Sequence, residues 1–114
     1  MGQYGEYLPL GYGFIKGSSL ITGFDWDGGN SRKSEDQHGV SMAEAEQVFF
    51  NTPLLMLEDR AHSQKELRIH ALGKTDEGRV LHITFTLRGN GRLVRVISAR
   101  DMHHKERMIY EQAS

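Results

Sequence analysis

The sequence predicts an α+β domain, and three observations carry that reading. Apolar residues recur at helical spacing up to about Asn51 and at strand spacing after Pro53. The stretch from Ser41 to Asn51 carries helix punctuation at both ends, and Gly89-Asn90-Gly91 marks a tight hairpin between two alternating runs. The expected order is a short strand, two helices, a four-stranded antiparallel meander and a closing helix. The helices then cover one sheet face and leave the other free.

The domain is expected over residues 23–112. It opens on a strand at Gly23-Phe24-Asp25-Trp26-Asp27, with Phe24 and Trp26 on one face, and Gly28-Gly29-Asn30 breaks that strand. A polar helix follows from Ser31 to His38, with Gly39 suited to a left-handed C-terminal cap. Ser41 and Glu44 form a capping box for the second helix, with Val40 and Ala45 as its hydrophobic staple. Met42, Ala45 and Phe49 share the apolar face, and Pro53 stops the helix after Asn51-Thr52. Leu54 to Leu57 is the next strand. Glu66 to Leu72 follows it, with Leu67, Ile69 and Ala71 alternating. Gly73 to Gly78 reads as a turn, Val80 to Leu87 and Leu93 to Ala99 as a hairpin, and Asp101 as the cap of a helix over 102–111.

Residues 1–22 read differently. They hold five glycines, three of the four tyrosines and two charged residues, Glu6 and Lys16, with neither period sustained. The segment is expected to be a poorly ordered N-terminal extension, either an arm or sequence upstream of the true start. Gly11, Gly13 and Lys16-Gly17-Ser18 match neither a Walker A nor a dinucleotide loop in spacing.

Composition excludes several classes. At 114 residues there is room for one modest core. The absence of cysteine removes disulfides, zinc-thiolate sites and thiol catalysis. No apolar run reaches membrane-spanning length, and the first residues lack the basic and apolar regions of a secretory signal, so a cytoplasmic location is expected. Six histidines are present, but none has metal-site spacing, so no metal or other cofactor is expected. His70 and His82 are expected on neighbouring strands where they could meet, and half-buried packing is the ordinary outcome for such a pair.

Charge is concentrated in one place. Residues 79–107 contain seven Lys/Arg and two acids, a local charge of +5 in a chain of net charge −1. A cationic face on a nearly neutral small protein fits a phosphate-bearing partner.

From Phe24 to Tyr110 the chain resembles the BrnT toxins, ribonucleases of type II toxin–antitoxin systems with a RelE-like fold. The matching residues are Phe24-Asp25-Trp26-Asp27, His38-Gly39-Val40-Ser41, Arg68 before Leu72-Gly73, and Gly78-Arg79-Val80-Leu81. Thr86, Arg88-Gly89, Arg95-Val96-Ile97-Ser98-Ala99-Arg100, and Glu106-Arg107 with Tyr110-Glu111 complete the set. The resemblance implies a toxic endoribonuclease neutralised by a BrnA-like antitoxin with a ribbon-helix-helix domain. Operator DNA is then reached only through the antitoxin, and RNA is the toxin's own substrate.

Metal-independent RNA cleavage needs a placed 2′-hydroxyl, stabilised charge on the phosphorane and a proton for the leaving 5′-oxygen. Arginine suits the middle task, because its planar fork binds phosphate bidentately and stays charged. Arg95 and Arg79 are the first choices, with Arg100 beside them. By simple alternation Arg95 shares a face with Ile97, opposite Val94, Val96 and Ser98. His38, Glu106 and Tyr110 are the proton-transfer candidates, with His82 and His103 behind them. Each has a structural reading beside it: His38 as a helix-end contact, Glu106 as an orienting salt-bridge partner, Tyr110 as packing. Arg88, Ser98, Lys33 and Arg107 complete the RNA-binding set.

One departure from the family pattern stands out. The places usually held by a lysine, an asparagine and a second basic residue carry Asn30, Ser34 and Gln37. The copy is then slowed, altered in specificity or inactive, or Arg32 or Lys33 supplies the charge in a shifted register. The alternative function is a catalytically degenerate toxin-fold protein that binds antitoxin and supports operon autorepression.

Overall fold

The structure, a computed structural model, describes residues 8–9, 21–62 and 65–113, with side chains for all but residues 8 and 9. Strands β1 (Leu8–Pro9), β2 (Gly23–Phe24), β3 (Leu55–Glu58), β4 (Ile69–Lys74), β5 (Val80–Arg88) and β6 (Leu93–Asp101) form one sheet in the order β1-β3-β4-β5-β6-β2. From β3 to β6 each strand runs antiparallel to the next, while β2 lies parallel to β6, so the α+β fold has a mixed sheet. Helices α1 (Gly28–His38), α2 (Met42–Val48) and α3 (His104–Ala113) complete it. Residues 8–9 of the expected N-terminal extension pair with β3. Thr22 donates its N–H to the Arg92 carbonyl, and Ile21 packs on the core. The glycines and lysine considered for a phosphate loop lie outside the described residues.

The opening strand ends earlier than expected, at Phe24, and Gly28-Gly29-Asn30, expected as a break before a helix starting at Ser31, is the first turn of α1. Asp27 caps that turn by accepting from the Gly29 and Asn30 N–H groups, and Asn30 Oδ1 accepts from Asp27 N at 2.7 Å. Glycine costs little in a first turn whose N–H groups are satisfied by a cap rather than by the helix. Gly39 closes α1 in the left-handed region at φ 65°, and Ser41 with Glu44 forms the expected capping box on α2. The inward face of α2 is Ala45, Val48 and Phe49; Met42 is 43 % exposed and leaves that face.

The strands are displaced from their expected ends. Gly73 and Lys74 belong to β4 and pair with Leu81 and Val80, which shortens the turn to residues 75–78. Thr75 holds that turn, its N–H donating to Arg79 O and its hydroxyl accepting from Arg79 N. A Cβ on Gly73 would lie 2.6 Å from Val48 Cγ1, so α2 rests directly on this glycine. The hairpin loop does use positive φ, at Gly89, Asn90 and Gly91. The final helix begins at His104 rather than under an Asp101 cap, because Asp101 turns to Arg79. Glu106 reaches back instead to the His103 N–H at 2.8 Å.

The second sheet face is covered in part, which corrects the expectation of a wholly free one. Ala71, Ile83, Phe85, Val94, Val96 and Ala99 meet α1 and α2 in the main core. On the opposite face Leu55, Leu72, Met102 and Tyr110 form a second cluster under α3, joined by Val80 and Ile109. That cluster occupies only the α3 end of its face. The remainder carries polar side chains, and the candidate site lies there.

Candidate active site

Strand register assembles the site. The pairs His70↔Thr84↔Ser98 form one row across β4, β5 and β6, and Leu72↔His82↔Arg100 forms the next. All these positions share the face that α3 partly covers. Arg95, opposite Thr86, joins them through an irregularity that alternation does not reveal. Thr84 pairs with Ser98 but Phe85 with Val96, so Ile97 is one residue too many. A β-bulge of this kind reverses the phase of everything beyond it. Ser98 therefore leaves the Val94–Val96 side assigned by alternation and shares a face with Arg95 and Arg100.

Helix α1 holds the strand on both sides of that bulge. Asn30 Nδ2 donates to Val96 O at 3.0 Å, and Ser34 Oγ accepts from Ala99 N at 3.1 Å. Strand β2 ends at Phe24, after which Asp25 N still donates to Val94 O. Two side chains of α1 then continue what a neighbouring strand would do for the outer edge of β6. Both residues are buried, Asn30 at 8 % and Ser34 at 2 % exposure, so both are helix–sheet ties. Gln37, the third, is exposed, as are Arg32 and Lys33.

Arg100 and Glu106 form the centre. The carboxylate takes the guanidinium end-on, Oε1 to Nη1 at 2.8 Å and Oε2 to Nη2 at 2.9 Å, and Asp101 O takes a further Nη1 hydrogen. The edge formed by Nε and the second Nη2 hydrogen has no partner among the described residues. Burial raises the Glu106 carboxyl, but the Arg100 hydrogen bonds and the His103 N–H outweigh it and hold the group at about 2. His82 Nε2 lies 3.9 Å from Glu106 Oε2, and His82 Nδ1 is buried with no partner among the described residues. Burial first, and the Arg100 charge second, push the His82 ring down to about 4 against the pull of Glu106. This imidazole is neutral at ordinary pH.

The other histidine of the face is differently placed. His70 Nε2 lies 2.9 Å from Asp59 Oδ2, and Nδ1 lies 2.9 Å from Thr84 Oγ1. Its ring centroid is 4.9 Å from that of His82. Asp59 also meets His62, in the 3₁₀ turn Arg60–His62, at 3.0 Å. Burial opposes the Asp59 charge, but the hydrogen bonds from His70 and His62 prevail and lower its carboxyl. The Asp59–His70 pair was not legible in advance, because it depends on the 70↔84 register and on the turn that returns Asp59 to β4. The one available signal was that His70 and His82 could meet across neighbouring strands.

The remaining candidates scatter. Arg79 gives Nε and Nη2 to Asp101 at 2.7 and 3.1 Å, Nη1 to Glu44 and Gly39 O, and Nη2 to His38 O. Its hydrogen bonds to Asp101 lead in raising its pKa further. All three nitrogens are committed to the α1–α2 junction and the end of β6. Arg95 pairs with Asp27 at 2.9 Å and Asp25 at 3.5 Å, and its guanidinium remains partly exposed. Tyr110 is buried, its hydroxyl donates to Pro53 O at 2.7 Å, and burial raises its phenol. His38 and Lys33 lie exposed on α1. Arg88 pairs with Glu66 at 3.2 Å, and exposed Arg107 donates to Met102 O at the start of α3. His103 contributes its backbone N–H. Among the described residues no group of three or more His, Asp or Glu is placed to hold a metal ion, and no helix is long and apolar enough to cross a membrane.

A family model described as a ribonuclease toxin, BrnT, of type II toxin–antitoxin systems matches residues 26–106. Asp59, His70, His82, Arg95, Ser98, Arg100 and Glu106 all fall inside that span. No protein of curated function matches the chain at a significant level.

Proposed function

This chain belongs to the BrnT family of ribonuclease toxins of type II toxin–antitoxin systems, and from that premise we propose that it is a metal-independent endoribonuclease of RelE-like fold. Its substrate is RNA, its effect is to inhibit translation, and a BrnA-like ribbon-helix-helix antitoxin neutralises it. Operator DNA is then contacted through that antitoxin. The observation that carries the reading is Arg100. Glu106 anchors its guanidinium and leaves the Nε–Nη2 edge toward a ligand, on the same face as Ser98 and Arg95. A fork held rigidly before the substrate arrives is what stabilising a phosphorane requires.

In this reading the 2′-hydroxyl attacks the adjacent phosphorus, the P–O5′ bond breaks, and the products are a 2′,3′-cyclic phosphate and a 5′-hydroxyl. Arg100 binds the non-bridging oxygens and Arg95 an adjacent phosphate. Arg79 acts as a positioning residue, because its hydrogen bonds go to protein acceptors. The test is cleavage of single-stranded RNA in the presence of a metal chelator, wild type beside Arg100→Lys and Arg95→Ala. Arg100→Lys keeps a cation beside buried Glu106 and loses the fork, so cleavage is expected to fall about 10²–10³-fold. Arg95→Ala is expected to weaken RNA binding with a smaller effect on turnover. Unchanged cleavage in both variants would overturn the assignment. Intact RNA from the well-folded wild type would favour the antitoxin-binding, non-cutting alternative.

A further inference from the structure

The reaction needs a base for the 2′-hydroxyl, and the surroundings of each candidate narrow the choice. Glu106 carries both Arg100 contacts and the His103 N–H, which hold it ionised and fully occupied. Tyr110 is buried and donates to Pro53 O. His82 is buried to 6 % exposure, with Arg100 and Glu106 on one side and His70 on the other. His38 is exposed at the end of α1, where its carbonyl takes Arg79, and it belongs to neither row of the polar face. His70 differs from all of these. It is partly exposed, shares the polar face with Ser98 and Arg100, and has one ring nitrogen on a carboxylate.

We propose that His70 is the catalytic base of this site and that Asp59 is its positioning residue. The inference rests on the ribonuclease reading above and deepens it. Asp59 Oδ2 fixes the tautomer with the proton on Nε2, which leaves a lone pair on Nδ1. In the free protein that lone pair accepts from the Thr84 hydroxyl, a group whose hydrogen rotates freely. When substrate binds, the ribose 2′-hydroxyl takes that place. Its proton passes to Nδ1 as the 2′-oxygen bonds to phosphorus, and the departing 5′-oxygen takes a proton from water. The charge that appears on the imidazole is offset first by Asp59, which Nε2 contacts directly. The other charged and titratable groups facing the ring are His82 across the strand pair and, beyond it, Arg100 and Glu106. His62 shares Asp59 from the 3₁₀ turn. His70 and Arg100 sit two strands and one side-chain repeat apart, on the order of 12 Å at the backbone. An extended arginine and one bound nucleotide together bridge that distance.

The experiment is the pH dependence of kcat and kcat/KM for a short RNA, with wild type, His70→Gln, Asp59→Asn and His70→Ala with added imidazole. Glutamine can donate to Asp59 and accept from Thr84, so it retains both contacts without a titrating ring. The wild type is expected to gain activity as a histidine loses its proton. His70→Gln is expected to lose about 10²–10³-fold in kcat together with that rise on the acid side. Asp59→Asn keeps the rise at reduced kcat, and imidazole restores part of the His70→Ala activity. In the unaltered protein, the NMR titration midpoint of the His70 ring coincides with the acid-side midpoint of the rate profile. That comparison needs no variant to fold. A wild type that cuts RNA while His70→Gln keeps its rate and profile, or a rate midpoint that does not follow His70, would overturn the inference alone. A wild type that leaves RNA uncut would overturn the inference and the ribonuclease reading together.

Discussion

Arg79 and Arg100 carry the same guanidinium in the same basic segment, and their partners separate them. The carboxylates of Asp101 and Glu44 and the carbonyls at the end of α1 surround Arg79, whereas Glu106 occupies one edge of Arg100 and leaves another open. Arg79→Met is therefore expected to lower stability by about 1–3 kcal/mol in denaturant unfolding, since it strands two acids and two carbonyls. His82 makes a different prediction. Its ring is held near 4 in the folded protein against an ordinary 6.5, so the unfolded chain binds the proton more readily. Stability is then present above about pH 6.5 and falls as pH drops toward 4, by on the order of 2–3 kcal/mol. Glu106, held near 2, adds a second loss below its ordinary 4.5. His82→Leu should flatten the decline in melting temperature between pH 6.5 and 4.5. A decline as steep as in wild type would remove His82 as its cause. Sequence showed the basic residues and both histidines; it did not show which acid each would meet.

At the level of elements, the local signals were the legible ones. The Ser41–Glu44 box, the Gly39 cap and the Gly89-Asn90-Gly91 turn each depend on a few adjacent residues, and each is found where its residues stand. The seating of α1 on β6 and the β6 phase depend on distant partners, Val96 O and Ala99 N among them, which no local pattern reveals. Those partners give Asn30 and Ser34 a structural task. Ser34→Ala leaves the buried Ala99 N–H without its acceptor, at about 1–3 kcal/mol. Faster amide exchange at Ala99, with exchange at Ile83 little changed, is the expected signature. Equal protection at Ala99 in the variant would mean that the tie is not needed. Because α1 side chains occupy this edge of β6, addition of an antitoxin strand there is blocked.

The molecule as a whole redistributes its charge. Residues 79–107 are strongly cationic in sequence, but folding brings Asp25 and Asp27 to Arg95, Glu44 to Arg79 and Glu66 to Arg88, all from outside that segment. The face offered to RNA is less positive than the linear count of seven cations suggests. Binding to single-stranded RNA should respond to salt accordingly. All seven on phosphate would give a log–log slope of about 5 in magnitude, whereas loss of Arg79, whose nitrogens are committed, and of Arg88, paired with Glu66, brings it to about 3.5. A slope of about 5 in a filter-binding series would show that RNA displaces their acids. The same compensation explains why a charge count in sequence identified the basic region without identifying its open edge. That edge is set by a single helix residue, Glu106.

The extra residue at Ile97 has a consequence for inheritance. Loss of that one codon would leave Val96 opposite Phe85 and Ser98 opposite Thr84, restoring an uninterrupted ladder with every side chain on its present side. Loss of the Val96 codon would do nearly the same, with Ile97 taking the place opposite Phe85, whereas loss of the Arg95 codon would put Val96 opposite Thr86 and remove a cation from the polar face. Strand β6 thus contains one short site where a loss of length is tolerated, and insertion of a further residue there is not.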